Sequence, residues 1–149
     1  MIEKEYISKN HSKFLLKYHI IFVCKYRRKI LIGNIAACIK NILIDIANKS
    51  DFRIEVIESD KDHIHLLVNA EPKVSPLQIV RRLKQESTKK LWVLHPNILR
   101  KWFYREHTLW PDGYFISSIG NVSQETVRKY IENQGWQATP SHSSPKLKT

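Results

Sequence analysis

Hydrophobic and polar residues alternate through the segment 16–26, and this spacing predicts a β-strand with two different faces. One face carries Leu16, Tyr18, Ile20, Phe22 and Cys24, and the other carries Lys17, His19, Ile21, Val23 and Lys25. Similar stretches predict a second strand near 53–58, a third over 63–69 and a fourth over 114–119. The four residues 59–62 suit a hairpin between the second and third strands.

Apolar residues spaced three and four apart predict helices between these strands. The first covers 34–49 with Asn34 as its cap, and the second runs from Ser75 and Pro76 to about 91. In the second helix, Leu77, Val80 and Leu83 are expected to face inward. A short helix over 94–100 and a last helix from Ser123 to about 134 complete the pattern.

This order of elements predicts an α+β domain with a ferredoxin-like or RRM-like four-stranded antiparallel sheet. Helices cover one face of such a sheet, the other face is open, and the last helix is an addition to the basic fold. We expect one domain over residues 1–136 and a mobile tail rich in Ser and Pro over residues 137–149.

Two histidines stand in the third strand within the sequence Asp62-His63-Ile64-His65. Because side chains alternate along a strand, His63 and His65 point to the same face, about 7 Å apart. Ile64 points the other way, toward the helix-covered core. The pair can therefore converge on one metal ion on the open face, although two surface histidines would give the same spacing.

The last helix brings Tyr130 and Gln134 to one face, one turn apart. Gln134 can offer a carbonyl oxygen as a third metal ligand, and a cation near Tyr130 would favour its phenolate form. An amphipathic helix that buries Tyr130 in the core accounts for the same spacing.

The charge of the chain favours a polyanionic partner, since 25 Lys and Arg face 14 Asp and Glu for a net charge of +11. No apolar run reaches the length of a membrane span, and the N-terminus lacks a signal-peptide pattern. Two cysteines without a C-x-x-C pair fit a reducing cytoplasm. The basic residues expected to contact DNA lie after the first strand and on the second helix: Lys25, Arg27, Arg28, Lys29, Arg81, Arg82 and Lys84.

Four collinear segments resemble the small single-tyrosine transposases of insertion sequences, the TnpA type, over about residues 14–136. They are the first strand with its basic end at 17–31, the Asp62–Val68 stretch, the basic helix from Ser75, and the run from Trp110 to Gln134. The Asp62–Val68 stretch is similar to the HUH motif of that family.

The resemblance implies a transposase that cleaves and rejoins single-stranded DNA at hairpin-bearing element ends through a 5′-phosphotyrosine. By resemblance, His63, His65 and Gln134 hold Mg²⁺ or Mn²⁺, Tyr130 is the nucleophile, and the enzyme is a cytoplasmic homodimer that associates with the nucleoid when active. No nucleotide cofactor and no membrane are expected. Two alternatives remain: an HUH nickase with a host role, and a non-catalytic single-strand binder on an RRM-like sheet.

Overall fold

The computed structural model describes residues 16–118 and 124–134. The strands are β1 (Leu16–Val23), β2 (Phe52–Ser59), β3 (His63–Ala70) and β4 (Phe115–Ser118). The helices are α1 (Gly33–Asn48), α2 (Pro76–Leu94), α3 (Pro96–Trp102) and α4 (Gln124–Gln134), and a 3₁₀ turn covers Lys25–Arg27. The tail at 137–149 and the predicted cap Ser123 lie outside the described residues.

The four strands form one sheet in the order β2-β3-β1-β4, with every neighbouring pair antiparallel. This is the strand order of the ferredoxin-like fold, so the predicted α+β architecture is confirmed. β1 and β3 are central and pair along their whole length, from Leu16 opposite Ala70 to Val23 opposite His63.

The main core lies between one face of the sheet and the helices α1 and α2. Ile64, Leu66 and Val68 of β3 are fully buried there, as the alternation in the sequence predicts. Ile39 and Leu43 of α1 pack against them in the same cluster. The face of β3 that carries the histidines is therefore the one that points away from this core.

Three local predictions were wrong. The first strand ends at Val23 because the chain then turns through the 3₁₀ segment. Asn34 does not cap α1, since the helix already begins at Gly33, whose positive φ of 55° suits glycine. Leu77 is 44% exposed, because it lies in the first turn of α2, and Ile79 is buried in its place. The Ser75 cap is confirmed, with its side chain accepting from the Gln78 backbone.

Lys84 of α2, which the sequence predicts to contact DNA, points inward. Its Nζ donates to the backbone carbonyls of Pro111 and Gly113, at 2.6 Å each. The ammonium also lies near the rings of Phe22 and Tyr114. Burial lowers the pKa of Lys84 to about 8. Lys84 thus links α2 to the loop before β4 by hydrogen bonds, and its Nζ already donates to two acceptors within the protein.

Replacing Lys84 with methionine should destabilise the protein, because two partly buried carbonyls lose their donor. We expect a loss of about 1–3 kcal/mol in the free energy of unfolding, measured by chemical denaturation at neutral pH. Lys89→Met is the matched control, since Lys89 is an exposed lysine on the same helix. Equal stability of the two variants would show that the Lys84 contacts contribute nothing.

The stabilities of the wild type and of Lys84→Met should depend differently on pH. The folded-state pKa of Lys84, about 8, lies below its ordinary value of 10.5. Between these values the unfolded chain binds more protons, so this group stabilises the fold as pH rises. The stability of the wild type relative to Lys84→Met should therefore increase above pH 8. A constant difference across this range would contradict the assignment.

No helix in the described part of the chain is long and apolar enough to cross a membrane.

Candidate active site

His63 and His65 lie together on the face of β3 opposite the main core, as predicted. Their partners across the ladder on β1 are Val23 and Ile21, respectively. Both histidines are half-buried. Since residues paired in an antiparallel ladder share a face, these four side chains form one surface.

The sequence suggested that this face is open. In the structure it is covered, because α4 packs on it. Ile21, Val23, Phe115 and Tyr130 form a second buried cluster, with Ile131 against it. Tyr130 is only 2% exposed, and its ring lies 5.7 Å from that of Phe115. In this conformation an amphipathic helix buries Tyr130, which is the alternative that the sequence left open.

The hydroxyl of Tyr130 is buried and has no hydrogen-bond partner within residues 16–118 and 124–134. Burial raises the pKa of this phenol well above its ordinary value. A neutral phenol in an apolar cluster is a weak nucleophile. Any chemistry at Tyr130 therefore needs the hydroxyl to leave this cluster for a polar, cationic surrounding.

The imidazole of His63 is oriented by a carboxylate. Its Nδ1 donates to Oδ1 of Asp62 at 2.9 Å, because an ionised carboxylate can only accept. The other carboxylate oxygen, Oδ2, accepts from Nε of Arg27 at 3.1 Å. Burial alone would raise the pKa of Asp62, but the hydrogen bonds from His63 and Arg27 hold it below the ordinary value. The carboxylate is ionised at neutral pH, and it holds the ring of His63 through Nδ1, which leaves Nε2 as the nitrogen that does not contact Asp62.

His65 contacts a third histidine that sequence reasoning missed as a site residue. Its Nε2 lies 3.0 Å from Nδ1 of His19, and the two rings are 5.2 Å apart. Burial, followed by the charges of His19 and His63, lowers the pKa of His65, so this imidazole is neutral at physiological pH. The signal for His19 was its place on the face of β1 shared with Ile21 and Val23.

These donors fit a borderline divalent ion in part. Neutral imidazoles suit such metals, and a ligand histidine held through its other nitrogen by a carboxylate is the usual arrangement around them. Among the described residues, however, no three side chains of His, Cys, Asp or Glu are grouped to hold a metal. The predicted third ligand, Gln134, is the last residue of α4, and its side chain is outside the described part.

Apart from Lys84, which bonds to backbone carbonyls, the predicted DNA-binding residues divide into ion-paired and exposed groups. Lys25 pairs with Glu106 at 3.0 Å, Arg27 with Asp62, and Arg82 with Glu86 at 2.8 Å. The exposed cations are Arg28, whose guanidinium lies over the Tyr26 ring, together with Lys29 and Arg81.

A cavity of about 790 Å³ lies beside α2, on the helix side of the sheet. Arg81, Lys89, Trp92 and His107 are among its lining residues, and the Trp92 and His107 rings stack at 4.1 Å. Basic groups beside aromatic rings suit contact with phosphates and bases. Sequence reasoning located Arg81 but not this cavity, because His107 and Trp92 come from separate segments.

Known proteins with similar sequences are insertion-sequence transposases. The ISDra2 transposase TnpA of Deinococcus radiodurans is 33% identical over 121 residues, which cover 81% of this chain and 85% of that protein. The IS200 transposase of Salmonella typhimurium is 31% identical over 124 residues, covering 83% and 80%.

Solved structures agree on the fold. A crystal structure of a Deinococcus radiodurans R1 protein assigned as a transposase superposes with a TM-score of 0.76 at 29% identity, over 84% of this chain and 95% of that one. A REP-associated tyrosine transposase bound to a REP hairpin has a TM-score of 0.52 at 13% identity, over 79% and 63%, and this likeness concerns the fold alone. The family model described as "Transposase IS200 like" matches residues 12–134. The chain therefore belongs to the IS200-like transposase family.

Proposed function

We propose that this transposase cleaves single-stranded DNA with Tyr130 as the nucleophile and His63 and His65 as metal ligands. The observation that carries the proposal is their common location. Both histidines and the tyrosine helix lie on one face of the sheet, and Asp62 holds Nδ1 of His63, so that a neutral His63 ring would present Nε2 to a metal.

In the proposed reaction the Tyr130 oxygen attacks a backbone phosphorus. A bond forms between that oxygen and phosphorus, and the bond to the 3′-oxygen breaks, leaving a 5′-phosphotyrosine. The phenol loses its proton to solvent, and the departing 3′-oxygen takes one up as a hydroxyl. Rejoining reverses these steps, so no nucleotide cofactor is needed. A bound Mg²⁺ or Mn²⁺ would neutralise charge on the phosphate and lower the pKa of the phenol.

The donor set favours Mn²⁺ over Mg²⁺ in binding strength, since imidazole is a softer ligand than Mg²⁺ prefers. His63 and His65 would hold the ion through ring nitrogens, with the Gln134 carbonyl as the proposed third protein ligand. His65 is neutral at physiological pH and so has a lone pair to give.

The buried position of Tyr130 supports a conformational step before chemistry. Its hydroxyl has to leave the cluster of Ile21, Val23 and Phe115 to reach a phosphate. Transfer of an element requires two cleaved ends, and each chain offers one such tyrosine. We therefore propose a homodimer, in which α4 serves either its own sheet or that of the partner.

The proposed DNA substrate is a single strand with a hairpin near each element end. Arg28 and Lys29 extend from the turn after β1, next to the strand end that carries His63. Arg81 and the cavity beside α2 offer a second basic surface.

An enzyme with this substrate acts in the cytoplasm at the nucleoid. A non-catalytic stacking sheet is not favoured, because Phe115 and Tyr130 on the histidine face are buried.

The test uses labelled single-stranded hairpins from the DNA that flanks the gene. Full-length protein is incubated with them and Mn²⁺, and covalent adducts are separated on a denaturing gel. We expect a metal-dependent adduct that a chelator prevents. Binding of the hairpin with no adduct at any metal concentration would refute strand cleavage and favour the non-catalytic alternative.

A further inference from the structure

Three side chains form a continuous hydrogen-bonded chain that ends at the first histidine of the candidate site. Nε of Arg27 donates to Oδ2 of Asp62 at 3.1 Å, and Nδ1 of His63 donates to Oδ1 at 2.9 Å. Asp62 is only 7% exposed, which makes it a buried charged residue. A buried carboxylate is costly unless both oxygens are satisfied, and here two different donors satisfy them.

The backbone around Arg27 is held in an unusual conformation. Tyr26 and Arg27 have φ values of 61° and 53°, in the left-handed region that residues other than glycine seldom adopt. Two backbone bonds of 2.8 Å fix this turn: Cys24 N to Asp62 O, and Arg27 N to Cys24 O. Such strain persists only where surrounding contacts require it, and it often accompanies function. Here the turn lies directly beside Asp62.

We propose that Asp62 is a positioning residue that fixes the ring and the tautomer of His63, and that Arg27 holds Asp62 in place. This rests on the proposed function, because it concerns the nitrogen that His63 would present to a metal. With Asp62 accepting from Nδ1, the proton stays on that nitrogen and Nε2 is left as the ligand atom. Arg27, predicted from sequence to bind DNA, would through this contact also stabilise the site.

The pairing of β1 with β3 explains how one buried aspartate accepts hydrogen bonds from two different segments of the chain. Arg27 comes from the turn after β1, and His63 begins β3. Val23 and His63 are paired at the end of the same ladder, so the two segments meet there. A carboxylate at position 62 therefore ties the basic turn to the histidine strand.

The tautomer can be read without metal or DNA. Two-bond ¹⁵N–¹H spectra of histidine rings, taken at mildly alkaline pH where imidazole is neutral, distinguish a proton on Nδ1 from one on Nε2. We expect Nδ1–H for His63 in the wild type and mainly Nε2–H in Asp62→Ala. An unchanged tautomer in Asp62→Ala would overturn the proposal.

The second readout is Mn²⁺ affinity, measured on the DNA-free protein by electron paramagnetic resonance. Asp62→Ala should weaken Mn²⁺ binding by about 10- to 100-fold. Arg27→Gln should cause a smaller loss in the same direction. The matched control is Arg28→Gln, since that guanidinium lies over the Tyr26 ring and not on Asp62. Equal losses in Arg27→Gln and Arg28→Gln would show a general charge effect and refute the role of Arg27.

Two further results have to be distinguished: an Asp62→Ala variant that does not fold, and a wild type that forms no DNA adduct. If Asp62→Ala does not fold, Asp62→Asn replaces it, because the amide offers one acceptor oxygen to the two donors. An Asn variant with unchanged tautomer and unchanged Mn²⁺ affinity counts against the proposal. If the wild type forms no DNA adduct, the proposed function fails, whereas the metal-free spectra still decide whether Asp62 sets the tautomer.

Discussion

Replacing Tyr130 with phenylalanine is expected to abolish the covalent protein–DNA adduct while leaving the fold at least as stable as the wild type. Phenylalanine keeps the ring that packs on Phe115 but has no oxygen to form a phosphotyrosine. The lost hydroxyl is buried without a hydrogen-bond partner in the described part of the chain. Removing such a group can raise the free energy of unfolding by about 1 kcal/mol.

The amount of covalent adduct is measured on a denaturing gel, and the stability is measured by thermal unfolding of the same preparation. Cleavage should fall by roughly a thousandfold or more, as for loss of a nucleophile in other enzymes. Tyr104→Phe is the control, because Tyr104 is 71% exposed and lies away from the cluster. A wild-type amount of adduct in Tyr130→Phe would assign the nucleophile to another residue. A large loss of stability would instead place the hydroxyl in a hydrogen bond in solution.

Replacing His63 with alanine is expected to remove strand cleavage and leave hairpin binding nearly intact. The variant loses a proposed metal ligand, whereas the exposed cations Arg28, Lys29 and Arg81 remain. Asp62 keeps its ion pair with Arg27, so the buried carboxylate is not left alone. We expect cleavage at a fixed Mn²⁺ concentration to fall by more than about 100-fold.

Three measurements on His63→Ala separate the explanations: adduct formation, hairpin binding by gel shift, and thermal unfolding. His95→Ala is a suitable control, since His95 lies at the junction of α2 and α3, outside the candidate site. Unfolding of His63→Ala would mean that this histidine is structural. Normal folding with wild-type cleavage would show that the metal, if any, is held elsewhere.

Periodicity was sufficient to predict the sheet and its two faces. The alternation in β3 placed Ile64, Leu66 and Val68 in the core, and all three are fully buried there. It also placed His63 and His65 together, because a period of two leaves a strand residue only two directions. Local chemistry also identified the start of α2, because Ser75 as cap and Pro76 in the first turn are typical of a helix N-terminus, and Ser75 caps the helix in the structure.

Contacts between distant segments were not predictable in this way. Lys84 has the sequence context of a solvated helix lysine, yet its acceptors, Pro111 and Gly113, come from a loop more than twenty residues away. His19 and His65 meet only because β1 pairs with β3 in one particular register. The burial of Tyr130 depends on where α4 lies against the sheet, which a helical period leaves open.

The contact between His19 and His65 sets a condition on how a metal could enter. A hydrogen bond between two ring nitrogens requires one proton, so one nitrogen donates and the other accepts. An ion that bound Nε2 of His65 would have to displace this bond, and Nδ1 of His19 would then need solvent or another partner. Metal loading would therefore be an exchange of partners at His65.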